Sequence, residues 1–116
     1  MACRMDPSFL QREIPVLGRT IRRVGLAASY GIGTKDIEAA LEGGINYVFW
    51  NPTARAMTAA LKNLVPRRRE QLVIATGPTL GFFAGSLRKR TETVLRLLKT
   101  DYLDVLQLFC WGRRAR

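Results

Sequence analysis

The chain has 116 residues, of which 47% are hydrophobic and 24% are charged, and its formal net charge is +10 at pH 7. That length and composition fit one small domain with a hydrophobic core and argue against an intrinsically disordered protein. The longest uncharged stretch, residues 71–87, contains glycines and a proline. Its apolar part is too short to span a bilayer, so no membrane segment is predicted.

The positive charge comes mostly from arginine, a residue type that can hold phosphate groups. Its densest cluster, PRRRE at residues 66–70, lies between a predicted helix and a predicted strand, where a solvated turn is expected. The other basic pairs fall in separate predicted elements and have few aromatic residues among them. Nucleic-acid binding is therefore an alternative that the pattern disfavours.

The cysteine and histidine content bears on compartment and metal binding. Cys3 and Cys110 have the spacing of neither a disulfide framework nor a metal site, and the chain contains no histidine. The opening stretch MACRMDPSFLQRE mixes charges and lacks the apolar segment of a secretory signal. We therefore expect a cytoplasmic protein without a metal site. Because no histidine can activate it, Cys110 is better explained as a buried small hydrophobe than as a nucleophile.

The first half of the chain alternates between strand and helix patterns after a predicted hairpin over residues 14–23, which turns at Gly18. A first strand is predicted over residues 23–29. The first helix is expected to be capped by Thr34, with Asp36 in its first turn, and to stop at Gly43. A second strand follows over residues 45–50, and a second helix over residues 55–64 is expected to end before Pro66.

The second half continues the alternation with a third strand over residues 71–76, a third helix capped by Ser86 and a fourth strand over residues 101–109. The order β-α-β-α-β-α-β predicts an α/β protein with parallel strands. Two architectures fit this order, an open doubly wound sheet and part of a (β/α)8 barrel. The pair Gly31 and Gly33 lacks the third glycine of a dinucleotide-binding turn, so that motif is weak.

Four segments of the chain together resemble the N-terminal half of an aldo/keto reductase: LGRTIRRVGLAASYGIG, GINYVFWNPT, REQLVIATG and LRLLKTDYLDVLQLFCW. The resemblance runs through nearly the whole chain in the family's order. It implies the first half of a TIM (β/α)8 barrel with an N-terminal β-hairpin and about four parallel strands. Residues 1–116 would then form a single partial domain, with the hairpin at 14–23 and the four β/α units in 24–116.

The resemblance also implies NADPH-dependent reduction of a small-molecule carbonyl substrate, with a tyrosine as proton donor assisted by a lysine, an aspartate and a histidine. Matched position by position, those four roles fall on Phe49 for aspartate, Ala54 for tyrosine, Gly77 for lysine and Phe109 for histidine. No catalytic residue is therefore predicted. Tyr30 is the tyrosine nearest the strand ends, and without a neighbouring cation it would be a poor acid.

The cofactor-binding positions that the resemblance implies are Ala28, Ser29, Trp50 and Asn51, at the ends of the first two strands. Trp50 could stack on a ring and Asn51 could bond a carboxamide. In the alternative interpretation, Phe49 and Trp50 fill the space left by the family's charged pair. We favour the second, since joint replacement of a buried ion pair by apolar groups can be neutral or stabilising. The family's main cofactor clamps come from later strands, so tight NADPH binding is not expected.

The leading hypothesis is thus a degenerate or truncated relative of these reductases. A second hypothesis makes the chain a non-catalytic interaction module, because half a barrel leaves open sheet edges and an uncovered apolar inner face that invite self-association.

Overall fold

A computed structural model describes residues 6–28, 31–77 and 84–107 of the chain. A two-stranded hairpin precedes an alternation of parallel strands and helices. The strands are β1 Gln11–Ile14, β2 Arg19–Arg22, β3 Leu26–Ala27, β4 Tyr47–Phe49, β5 Val73–Thr76 and β6 Val105–Leu106. The helices are α1 Thr34–Glu42, α2 Arg55–Arg68 and α3 Ala84–Leu98, and short 3-10 turns cover Pro7–Leu10, Pro15–Leu17 and Arg69–Gln71.

The parallel sheet has the strand order β3-β4-β5-β6, with every neighbouring pair parallel. Each strand therefore lies beside the one that precedes it in the chain. In a doubly wound sheet the third or fourth strand returns to the far side of the first, whereas a barrel adds strands in sequence. The observed order is that of the first part of a (β/α)8 barrel, and it confirms the predicted α/β fold class.

One face of this sheet packs against the helices and forms the hydrophobic core. Strand residues alternate between the two faces, and the register places Leu26, Val48 and Ile74 on the same side. Leu26 packs against one buried core cluster, which consists of Ile37, Leu41, Val48, Trp50, Met57, Ala60, Leu61, Leu64, Val65, Leu72, Ile74, Val94 and Leu98. Burial against helices thus fixes which side of each strand faces outward.

The opposite side, which we call the inner face, carries the alternate strand residues. Register places them in rows: Ala27, Tyr47, Phe49, Val73, Ala75 and Val105. Val73 and Ala75 at its centre are fully buried, whereas Tyr47 and Phe49 are only partly so. This face corresponds to the interior of a barrel.

The hairpin is longer at its start than the predicted residues 14–23. It pairs Gln11 with Arg22 and Ile14 with Arg19, and a 3-10 turn joins the strands. Gly18 ends that turn at φ 61°, a left-handed conformation that glycine adopts without strain. The turn therefore lies where the sequence predicted it.

The segment before the hairpin is closed by a small cap. Asp6 accepts a hydrogen bond from the Ser8 backbone N–H at 2.9 Å. This backbone bond, followed by the bond with the Ser8 side chain, lowers the pKa of the Asp6 carboxyl from its usual value. Phe9 then packs under Arg23, whose guanidinium carbon lies 4.8 Å from the ring centroid. The start of the chain's described part is thereby tied to the return strand of the hairpin.

Helix α1 corrects one predicted cap. Gly33, not Thr34, occupies the N-cap position, and Asp36 lies in the first turn as predicted. The Thr34 hydroxyl instead donates to the Ala56 carbonyl oxygen at 3.3 Å, which ties α1 to α2. A long-range partner has therefore replaced the local one. At the other end the helix stops at Gly43 as expected.

Helix α2 does not end before Pro66 as predicted but continues to Arg68. Pro66 removes one helix donor, but bonding continues beyond it, since the Arg69 N–H donates to the Val65 carbonyl oxygen. Leu64 and Val65 are buried in the core and hold this last turn in place. Tertiary packing thus overrides the local helix breaker.

The last two elements also differ from the prediction in their bounds. Helix α3 begins at Ala84, two residues before Ser86, so Ser86 does not occupy its N-cap. The fourth strand begins at Val105 rather than at residue 101 and covers Val105–Leu106, after which the Gln107 N–H still donates to the Thr76 carbonyl oxygen at 2.8 Å. Residues 108 and 109, the end of that predicted strand, lie outside the described residues.

Candidate functional site at the strand ends

The carboxyl ends of β4, β5 and β6 and one side of α3 surround a cavity of about 260 Å³, which we call the strand-end cavity. The loop after β4 forms one wall and the end of β5 forms the floor. The described residues that line it are Asn51, Pro52, Thr53, Thr76, Gly77, Arg90, Thr91, Thr93, Val94 and Leu106. The fold therefore does bring the polar turn after the second parallel strand to the rim of a cavity.

Three of the four positions matched to the family's catalytic residues lie in this region. Phe49 ends β4 on the inner face and pairs in register with Ala75. Ala54 is the N-cap residue of α2, where its carbonyl oxygen accepts from the Thr58 N–H and hydroxyl. Gly77 directly follows β5, is buried, and lines the strand-end cavity. The fourth position, Phe109, lies outside the described residues.

The predicted cofactor-binding residues are separated rather than gathered by the fold. Trp50 is fully buried on the helix side, where its indole N–H donates to Thr58 Oγ1 at 2.9 Å. The Ala28 backbone N–H donates to the Phe49 carbonyl oxygen, and its side chain packs against the core. Asn51 alone lines the cavity, and Ser29 lies outside the described residues. The geometry of Trp50 favours packing over contact with a ligand.

The tyrosines do not meet a lysine at the strand ends within the part of the chain that the structure describes. Tyr47 lies at the start of β4 and packs so closely over Gly25 that a Cβ there would be 3.1 Å from the ring. Tyr102 lies near the amino end of β6, where its ring stacks on the Arg69 guanidinium at 3.9 Å. Tyr30 lies outside the described residues. No cluster of three or more potential metal ligands occurs in the described ranges.

A dense polar cluster occupies the opposite, amino-terminal end of the sheet. The Asp104 carboxylate, only 5% exposed, bridges two guanidinium groups: Arg19 Nη1 at 2.9 Å from Oδ1 and Arg69 Nη1 at 2.9 Å from Oδ2. Oδ2 also accepts from the Ile74 backbone N–H at 2.9 Å. Both arginines donate to the Leu72 carbonyl oxygen at 3.0 Å. One carboxylate thus ties the hairpin to β5, to β6 and to the turn after α2.

Asn46 completes this connection on the other side of the sheet's amino end. Its Oδ1 accepts from the Arg22 backbone N–H at 2.8 Å, and its Nδ2 donates to the Thr20 carbonyl oxygen at 2.9 Å. Sequence reasoning assigned no role to Asn46, Arg19, Arg69 or Asp104. The available signal was their place in the segments LGRT, GIN, RE and TDYLD, which carry the family resemblance.

Two solved structures, each described as a protein from Pseudomonas aeruginosa classed provisionally as an aldo-keto reductase, are similar to this chain. One is 22% identical with a TM-score of 0.68, and the other is 25% identical with a TM-score of 0.66. Each likeness covers 85% of this chain but only 46% of the other, so the chain spans about half the length of these structures. The resemblance to aldo/keto reductases is thereby confirmed at the level of the fold, as part of a TIM barrel.

No family model and no curated protein matches the chain. In the described ranges, none of the helices has both the length and the apolar character that a membrane crossing requires.

Proposed function

We propose that this chain, whose fold is that of the first part of an aldo-keto reductase barrel, is a non-catalytic relative of those enzymes. One observation carries the proposal: the positions from which the family's acid, ammonium and carboxylate would act hold Ala54, Gly77 and Phe49. These positions lie at the strand ends, where the barrel would present them to a substrate. The scaffold is retained without side chains that can exchange a proton there.

The chemistry explains why these replacements matter. Hydride attack on a carbonyl carbon places negative charge on oxygen, and a positioned acid must donate a proton to it. A phenol with a pKa of about 10 becomes an effective acid only beside a cation. Among the described residues that line the strand-end cavity, the cation is Arg90, which extends from α3 rather than from a strand end. Arginine stays protonated and cannot itself donate the proton.

NADPH, the family's usual cofactor, does not fit those of its assigned positions that the structure describes. Of the positions assigned to it, Trp50 has no exposed surface and its N–H is already bonded to Thr58, while Ala28 packs against the core. Asn51 remains at a cavity, but its Oδ1 accepts from the Thr53 N–H at 3.1 Å. One amide is insufficient to hold a dinucleotide. We therefore derive no catalytic step through this cofactor.

Titration with NADPH tests the proposal. Nicotinamide fluorescence is followed as the chain is added, and oxidation of NADPH is then measured with a panel of aldehydes. We expect no saturable change at micromolar protein and no aldehyde-dependent oxidation. An aldo-keto reductase with established NADPH-dependent activity, tested in parallel, serves as the positive control. Micromolar binding together with aldehyde-dependent turnover would overturn the proposal.

Self-association through the inner face is a second candidate function. Its partly exposed side chains, Ala27, Tyr47, Phe49 and Val105, carry no charge, and within the described residues neither β3 nor β6 has a second strand partner. An apolar face between two open edges can be covered by the same face of a second copy. The net charge of +10 opposes such pairing, so added salt should strengthen it by screening the repulsion.

Light scattering during size exclusion, at several protein and salt concentrations, tests this candidate. We expect a dimer whose population rises with salt. Tyr47→Arg should abolish the dimer, whereas Ala59→Arg, an exposed position on α2, should not. A monomer under all conditions, or equal effects of the two variants, would exclude association through the inner face.

We do not propose nucleic-acid binding, because several arginines of the described residues already have carboxylate partners. Arg19 and Arg69 bind Asp104, and Arg88 and Arg96 flank Glu92. Cations that neutralise carboxylates contribute less to a phosphate-binding surface.

A further inference from the structure

The strand-end cavity lies outside the barrel interior, on the helix side of the sheet. Thr76 and Leu106 are register partners on β5 and β6, and they lie on the side opposite the inner-face pair Ala75 and Val105. Val94 contributes the α3 wall and belongs to the buried core. A molecule in this cavity would therefore sit between sheet and helix, away from the place where a barrel enzyme holds its carbonyl substrate.

The cavity combines apolar walls with threonine hydroxyl groups, three of which already donate their protons within the chain. The Thr91 hydroxyl donates to the Leu87 carbonyl oxygen and the Thr93 hydroxyl to the Lys89 carbonyl oxygen, at 2.8 and 2.9 Å. The Thr53 hydroxyl donates to Asn51 Oδ1. These hydroxyls are consequently not free to donate to a ligand.

Two donor groups at the rim remain available among the described residues. Asn51 uses its Oδ1 to accept from Thr53, and these bonds leave its Nδ2 hydrogens available as donors. Arg90 forms no ion pair with the carboxylates of the described chain, unlike Arg88 two residues before it. A guanidinium and an amide N–H₂ group at the edge of an apolar cavity are complementary to a carboxylate attached to an apolar body.

We propose that the strand-end cavity binds a small organic carboxylate, with its apolar body against Val94 and Leu106 and its carboxylate at Arg90 and Asn51. The volume of about 260 Å³ is just below the roughly 300 Å³ at which pockets for drug-sized ligands begin. The ligand is therefore small, of about the size of benzoate. The net charge of +10 further favours an anion over a neutral or cationic molecule.

NMR titration of the ¹⁵N-labelled full chain with benzoate tests this proposal. We expect saturable amide shifts concentrated at Thr76, Gly77, Thr91 and Val94. Benzyl alcohol has a similar apolar body without the charge, and acetate has the charge without the body. Each should bind at least tenfold more weakly than benzoate, because each lacks one of the two kinds of contact.

A matched pair of variants on α3 separates specific recognition from general attraction by a basic protein. Arg90→Gln should weaken benzoate binding about tenfold, whereas Arg88→Gln removes the same charge outside the cavity lining and should leave it unchanged. Both side chains are exposed, so both variants should fold with unchanged unfolding midpoints. Shifts scattered over the surface, equal effects of the two variants, or benzyl alcohol binding as tightly as benzoate would each overturn the proposal.

Discussion

The two ends of the parallel sheet differ sharply in how their polar groups are used. At the amino end, Asp104, Arg19, Arg69 and Asn46 are bonded to one another or to backbone and connect the hairpin to the sheet. At the carboxyl end, the polar residues form short local bonds, such as that between Asn51 and Thr53, and line a cavity. In barrel proteins the first end is associated with stability and the second with function. The polar residues that this chain shares with the family pattern thus lie largely at the amino end, where they stabilise the fold.

The largest expected effect comes from Asp104→Asn. This substitution removes the charge that two guanidinium groups share while it keeps the size of the side chain, so Arg19 and Arg69 would repel each other in a region of low exposure. We expect a loss of about 3 kcal/mol in the free energy of unfolding, as for other broken buried ion pairs. Urea denaturation followed by circular dichroism measures it.

Asp101→Asn is the matched control, because Asp101 is exposed and has no ion-pair partner among the described residues. It should change stability by no more than about 0.5 kcal/mol. If the two variants proved equally stable, the polar cluster at the amino end would not stabilise the fold, and the contrast between the two ends would fail.

Trp50→Phe should have the second largest effect, a loss of about 2 kcal/mol, and it tests which layer Trp50 belongs to. The smaller ring leaves a void beside α2 and removes the bond from the indole N–H to Thr58. Tyr47→Phe, on the inner face, removes only a hydroxyl group and should cost less than about 0.5 kcal/mol. If Trp50→Phe cost no more than Tyr47→Phe, Trp50 would not be a core residue, and a ligand contact at the cavity rim would again be the better interpretation.

Asn46→Ala should cost about 1.5 kcal/mol, since it removes two hydrogen bonds between the sheet and the hairpin backbone. Asn63→Ala removes a single hydrogen bond, from the side-chain amide to Glu38 on the exposed surface, and should cost only a few tenths of a kcal/mol. Thermal unfolding of the two variants side by side provides the comparison. A loss at Asn46 no larger than the loss at Asn63 would contradict the expectation that the two Asn46 bonds hold the hairpin to the sheet.

Much of the fold could be predicted because short apolar runs and leucine stripes record burial locally. The strands around residues 47–49 and 73–76 and the three helices follow from that pattern. The pattern could not assign Trp50 to a face, because residues 45–50 are apolar on nearly every position and alternation is lost. Only packing against Thr58 determines its direction.

The polar cluster could not be predicted for a different reason, namely the sequence distance between its members. Arg19 and Asp104 are separated by 85 positions, and Arg19 and Leu72 by 53. Periodicity and capping rules relate residues within one or two turns and cannot pair such groups. The same limit explains the helix errors, since the Thr34 hydroxyl bonds Ala56 on the next helix instead of capping its own.

Thr53→Ala should have the smallest effect and sharpens the contrast from the carboxyl end. Thr53 is exposed, and its hydroxyl bonds only to the neighbouring Asn51 side chain among the described residues. An exposed local bond of this kind contributes little, so the free energy of unfolding should change by less than about 0.5 kcal/mol. Denaturation under the conditions used for Asp104→Asn allows the losses in free energy of unfolding at the two ends to be compared directly. A loss above 1 kcal/mol would show that the rim also supports the fold, and the carboxyl end would then be no freer to change than the amino end.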